Sequence, residues 1–306
     1  NLAAYDFGFL SMGRLLDRTR HTLATMRALT RHRGHFYNWY DTQTLQPLQP
    51  LYVSTVDSGN LAGHLLTLQP GLQALVDEPL FHPRLLHGLR DTVTVLRDAL
   101  GSVRPTVLQP MRRALDAALE TPPATLGEAV ALLQRLRDHA NALALELPQN
   151  PDSEVAYWSA ALVQQCHELH DDVRAFQLDP PADEEINFGG IPTLAQLGRI
   201  EPLCWPCEAG AEAIRERARE RIALLEQLAD QAGEMAVVDY HFLYDAGRDL
   251  LAIGYNVDER RRDESYYDLL ASEARRASFV AIAQGQLPQE KWFALGRLLT
   301  TSAGEP

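Results

Sequence analysis

Cysteine is scarce in this chain: Cys166, Cys204 and Cys207 are the only three among 306 residues. So low and odd a number excludes a small secreted domain stapled by disulfides and fits a reducing compartment. Long apolar runs are missing too. No stretch reaches the ~18 to 20 residues that a helix needs to span a bilayer. The N-terminus lacks the basic-then-apolar order of a secretory leader. Basic residues are outnumbered, 28 against 41 acidic ones, leaving a net charge of −13. Such a chain repels phosphate backbones, which argues against a nucleic-acid partner. The one dense basic run, Arg260-Arg261-Arg262, reads as a local charge or sugar-site feature rather than a phosphate-binding stripe. A glycine-rich phosphate loop, a nucleophile elbow and an HExxH helix are all absent, and no cofactor is expected.

What is present is helical. Hydrophobic residues make up 46% of the chain, enough for one large or two ordinary domains. Asn1 is not an initiator methionine and residues 2–10 already read as packed helix, so the chain reads as cut from something longer. Met12, Leu16, Thr19, Leu23 and Met26 form a stripe that predicts a helix over 6–31, ended by Gly34. A second stripe is Leu85, Leu89, Val93, Leu96 and Leu100; a third, after Pro105, is Val107, Met111, Leu115 and Leu119. Thr125 and Glu128 have the spacing of a capping box, opening a helix to about Leu147. Further helices are expected over 155–176 and 208–234, the latter with Ile214, Ala218, Ile222, Leu225 and Leu228 on one side.

Three segments break the pattern. Residues 35–56, rich in aromatic and Pro residues, predict a long ordered loop or a short strand pair, and long loops in helical domains are usually functional. Residues 178–206, with Pro180-Pro181 and Gly189-Gly190, read as a loop and possible hinge. Residues 241–244 and 250–255 flank Asp245-Ala246-Gly247-Arg248, a hairpin signal. A helix over 265–284 and a last one after Pro288, to about Leu299, follow. Helical hairpins joined by loops suggest a bundle or a toroid of helix pairs.

Three clusters suit polyhydroxyl binding, each with a plainer alternative. In the run Gly34 to Asp41, aromatic faces match the C–H faces of sugars, while Asn38 and Asp41 match their hydroxyls. Equally, Phe36 and Trp39 could be core anchors and Asn38 and Asp41 turn formers. Asp57 sits where loop becomes helix, as an N-cap worth ~1 kcal/mol or as a carboxylate at the mouth of a cleft. In the run Arg260 to Arg276, a helix would put Tyr266, Leu269, Glu273 and Arg276 on one side. That is either a sugar-facing array or an exposed ion pair. Paired acids are what glycosidic chemistry needs, though spacing along the chain does not bring two together. A fourth group, Cys166, His170, Cys204 and Cys207, has zinc-ligand residue types. We read it as buried thiols and incidental histidines, with no metal.

The strings from Gly34 to Thr42 and from Tyr52 to His64 resemble the cyclic β-1,2-glucan synthase family. So do Phe242-Leu243-Tyr244-Asp245, Ile253-Gly254-Tyr255-Asn256, the run from Arg262 to Arg275, and the run from Trp292 to Arg297. The likeness is close over 6–69 and 239–306, with a like-placed helical segment between. The resemblance implies a very large enzyme of the bacterial inner membrane with three activities. A membrane glycosyltransferase extends β-1,2-glucan from UDP-glucose, a middle soluble region cyclises it by retaining transglycosylation, and a phosphorylase-like region trims it. This chain resembles the middle region, on the cytoplasmic face, whose fold is similar to glucoamylase-like (α/α)6 toroids.

The expectation is therefore a mainly α chain forming a partial (α/α)6 toroid, with residues 1–69 its first part, 70–236 a helical insertion, and 237–306 a hairpin and further helices. The family's catalytic glutamates are expected beyond Pro306, with Asp57 and Glu273 as in-chain candidates. The resemblance assigns glucan contact to Tyr37, Asn38, Trp39, Tyr40, Asp57, Asn60, Arg262, Glu264, Tyr267 and Glu273. The expected partners are a β-1,2-glucan chain and the glycosyltransferase and phosphorylase regions of the same polypeptide. The rival readings are a non-catalytic helical spacer between those regions and a complete hydrolase within this chain.

Overall fold

The structure is a computed structural model that describes residues 1–102, 105–106, 108–147, 150, 152–177, 188–200 and 208–296. Helices α1 (Leu2–Asp6) and α2 (Met12–Ala28) precede a hairpin of β1 (Arg31–His32) and β2 (His35–Phe36). Strand β3 (Tyr52–Ser54) runs directly into α3 (Thr55–Ala74). Helices α4 (Arg84–Leu100), α5 (Leu108–Glu120), α6 (Leu126–Glu146), α7 (Glu154–Arg174), α8 (Leu194–Gly198) and α9 (Glu208–Met235) follow. A 3-10 turn at His241–Leu243 then leads into β4 (Tyr244–Asp245), β5 (Leu250–Leu251), β6 (Gly254–Asn256) and β7 (Arg261–Arg262). Helices α10 (Ser272–Ala283) and α11 (Glu290–Ala294) complete the described chain. The chain is mainly helical, as its periodicity requires. Among the described residues no helix is long and apolar enough to cross a membrane.

The chain divides into two compact units, one of residues 1–20 and 72–227, the other of residues 21–71 and 228–306. In the first, α4 to α7 enclose a core. Leu85, Leu89, Val93, Leu96 and Leu100 of the second predicted stripe are all buried in it, with Met111 and Leu115 of the third; Val107 lies outside the described residues. The capping box is present: Thr125 Oγ1 accepts from Glu128 N–H, and Glu128 reaches back to the Thr125 amide. The helix expected over 6–31 forms as α2 but starts only at Met12, and residues 2–6 make a separate short helix before it. Gly8, at φ 78°, turns the chain between α1 and α2, and a β-carbon there would lie 2.0 Å from the Arg84 carbonyl oxygen. The short helix α8, with its own Thr193–Gln196 capping box, interrupts the segment expected to be all loop. Residues 178–187 and 201–206 of that segment, including Pro180, Pro181 and Cys204, lie outside the described residues, as does Cys207.

The second unit is built around an antiparallel sheet in the order β3-β6-β7. Tyr52 faces Asn256, Ser54 faces Gly254, and Tyr255 faces Arg262. The predicted hairpin forms as β4 paired with β5, with Tyr244 opposite Leu251. Its core gathers Val53, Val238, Tyr240, Leu243, Leu251, Ala281 and Leu287. Gly34 does not end α2; at φ 89° it forms the turn between β1 and β2. The helix expected from Ser265 begins only at Ser272. Tyr266 is held extended in a bridge to Ala252, and the Leu269 amide donates to the Gly296 carbonyl, so these residues spend their backbone groups elsewhere. Tyr266 and Glu273 therefore do not share a helix face. Helix α3 packs on α10 at close range, a β-carbon on Gly59 falling 2.3 Å from that of Ala277.

Candidate functional site

The aromatic run and the start of α3 are brought together by the backbone. Asn38 N–H donates to the Tyr52 carbonyl at 2.9 Å, which lays residues 36–38 beside β3, and β3 becomes α3 without a loop. Between them opens a cleft of about 120 Å3, lined by His35, Phe36, Tyr37, Asn38, Asp57 and Ser58, with Leu61, Ala62, Met235 and Val238 also in the wall.

The back wall is fixed by His35, which is fully buried. Its Nε2–H donates to the Asp239 carbonyl and its Nδ1 meets Ser58 Oγ, both at 2.8 Å. Burial drives its pKa down to about 4, so the ring is neutral at physiological pH and Nδ1 is an acceptor. Ser58 Oγ also lies 2.8 Å from the Ser54 carbonyl. One hydroxyl hydrogen serves these two acceptors, so Ser58 is committed to the scaffold.

The front of the cleft carries groups with capacity to spare. Asn38 Oδ1 accepts from Ser54 N–H at 3.2 Å, which orients the carboxamide and leaves its NH2 as a donor. Asp57 is exposed in the first turn of α3. It is not the N-cap: Ser54 Oγ accepts from the Asp57 amide at 3.3 Å and fills that role. The carboxylate is thereby released from capping. Tyr37 lines the cleft half-buried, its ring 6.2 Å from that of Tyr40. An amide donor, a carboxylate acceptor and an aromatic face are the pieces a pyranose needs.

A second acidic group stands near. Tyr52 donates to Asp263 Oδ2 at 2.5 Å. Burial chiefly, then this bond and the Asp263 charge, and then Tyr267 and Asp57, drive the Tyr52 pKa up. Gly254 makes this possible, since a β-carbon there would lie 2.0 Å from the Tyr52 hydroxyl. Tyr52 and Asp263 both lie in the quoted strings, but their contact was not legible because 211 positions separate them. Gly59 meets Ala277, and further along Gly63 meets Arg276 and Val280, so α3 and α10 run the same way. Asp57 and Glu273, both in first turns, thus lie toward the same end of the helix pair. Glu273 is exposed, and its pKa is lowered by a backbone amide and then by Ser272, so it is ionised at neutral pH and is not a proton donor there.

The remaining expected residues are dispersed. Trp39 is half exposed and outside the cleft lining; its carbonyl accepts from Leu48 N–H. Tyr40 donates to the Thr30 carbonyl and accepts from the Tyr37 amide. Asp41 is a turn former, accepting from the amides of Gln43 and Thr44. Asn60 is half-buried on α3 and Glu264 is exposed. Arg262 pairs with Asp245 at 3.3 Å and donates to the Tyr244 carbonyl, holding β7 against the hairpin. Tyr267 borders a separate small cavity with Thr55 and Lys291. Cys166 is buried with its thiol pKa pushed up to about 12, and His170 meets Arg137 and Asp171. Among the described residues no group of three or more His, Cys, Asp or Glu is placed to hold a metal ion.

No family model matches the chain. It is 34% identical, over 97% of its length, to the cyclic beta-(1,2)-glucan synthase NdvB of Rhizobium meliloti (strain 1021). The chain spans about a tenth of that relative, 10% of its length. The resemblance read from the motifs thus holds, and it also runs through the middle of the chain, where the sequence motifs were silent.

Proposed function

We propose that this chain supplies a β-1,2-glucan-binding cleft to a cyclic β-1,2-glucan synthase, in its soluble cyclisation region. The observation that carries the proposal is the meeting of Tyr37, Asn38 and Asp57 in one cleft, on elements drawn from separate stretches of sequence. A glucosyl unit would rest a C–H face on Tyr37, accept from the Asn38 amide and donate to the Asp57 carboxylate. Cyclisation by retaining transglycosylation needs a carboxylate to attack an anomeric carbon while an acid protonates the departing glycosidic oxygen, and then the chain's own distal hydroxyl, deprotonated by the same group, to displace that carboxylate. A wall that grips the glucan raises the local concentration of that hydroxyl. In this reading Asp57 and Glu273 bind rather than react, and Arg262 supports the hairpin beside them. The partners would be the glucan and the glycosyltransferase and phosphorylase regions of one polypeptide at the cytoplasmic face of the inner membrane.

The second reading, a helical spacer, draws support from the first unit, whose α4 to α7 form a closed core of their own. Calorimetry with β-1,2-gluco-oligosaccharides separates the two. Binding that weakens about tenfold or more on Asp57→Ala supports the cleft, by loss of a charged hydrogen bond. A folded protein that binds no oligosaccharide supports the spacer.

A further inference from the structure

The small cavity behind Tyr267 holds a group that glucan binding does not use. Lys291 is buried at 1% exposure, although it belongs to the short helix α11. Its Nζ donates to Ser278 Oγ at 2.8 Å, and Ser278 in turn donates to the Ala274 carbonyl at 2.7 Å. Among the described residues no carboxylate pairs with this ammonium. Burial lowers its pKa only to about 8, so at neutral pH it is largely charged. Thr55 and Val56 bring the first turn of α3 to the cavity, and Ala274 brings the first turn of α10. A buried cation with one neutral hydrogen bond is costly unless a negative charge accompanies it.

The rest of the lining says what kind of charge fits. Val56, Leu251, Ala252, Ala277 and Leu295 supply apolar walls. The space admits about one water-sized particle. An oxyanion is too large and would strand oxygens against carbon. A halide needs few donors and tolerates such walls. We propose that this cavity is a site for one chloride-sized monatomic anion, held by Lys291 Nζ against the first turns of α3 and α10. The anion ties the start of α3, and so the Asp57 end of the cleft, to α10 and α11.

The test uses the whole chain. Its thermal midpoint is followed as sodium gluconate is exchanged for sodium chloride or bromide at constant ionic strength, and crystals soaked in bromide are examined for anomalous scattering. The midpoint is expected to rise and saturate with either halide, as for a ligand that binds only the folded state. An anomalous peak is expected beside Lys291 Nζ. Lys291→Met should abolish the halide dependence. Should that variant fail to fold, the wild-type bromide peak alone decides. Equal midpoints in gluconate and halide, or a cavity holding only water or a carboxylate of the chain itself, overturn the proposal.

Discussion

Gly59 and Ala277 set the spacing of α3 and α10: a β-carbon on Gly59 would stand 2.3 Å from the Ala277 β-carbon and 2.4 Å from its α-carbon. In an ordinary helix Gly→Ala gains about 1 kcal/mol. Here the clash lies between two helix backbones with no flexible side chain to yield, so the sign reverses. Gly59→Ala should destabilise by about 1 to 3 kcal/mol. Urea unfolding checks it, and adding Ala277→Gly should recover part of the loss.

Ser54 and Asp57 divide the work at the start of α3. Ser54→Ala removes the cap and should cost about 1 kcal/mol in unfolding free energy. Asp57→Asn keeps the cap, and should leave the unfolding midpoint within about 0.5 kcal/mol of wild type. Oligosaccharide affinity should fall in the opposite order, Asp57→Asn losing about tenfold by calorimetry.

His35 makes stability depend on pH. Its folded pKa, about 4, lies below the unfolded value of 6.5, so protonation favours the unfolded chain. The contribution is complete above pH 6.5 and is lost as pH falls toward 4, by about 3 kcal/mol in all. His35→Gln should be less stable at pH 7 and should show a flatter slope between those limits in urea titrations.

Tyr52, Asp263 and Gly254 should behave as one unit. Tyr52→Phe deletes the bond to Asp263; Gly254→Ala pushes the ring off its seat and breaks the same bond. Each should destabilise by about 1 to 3 kcal/mol, and the double variant should lose less than the sum. Unfolding curves of the three proteins test it.

Much of the helical frame was legible because it depends on local spacing. The stripe Leu85 to Leu100 is buried along its whole length, and the Thr125–Glu128 pair caps its helix. The hairpin around Gly247 was legible from turn chemistry. Misreadings fell where distant backbone decided the outcome. Residues 266–271 have helical spacing, but Tyr266 bridges Ala252 and Leu269 bonds to Gly296. At the candidate site, Tyr37, Asn38 and Asp57 were singled out by residue type. The Tyr52–Asp263 contact, Lys291 and the capping role of Ser54 were not, since each depends on a partner or a burial that linear order does not reveal.

His35 works as a rivet through the strand beside the cleft, the first turns of α3 and the chain at Asp239. A wall pinned in this way before any guest arrives has little left to arrange on contact. Recognition at such a surface would depend on fit rather than on adjustment. A ligand that matched it would surrender its own freedom and demand almost none from the protein.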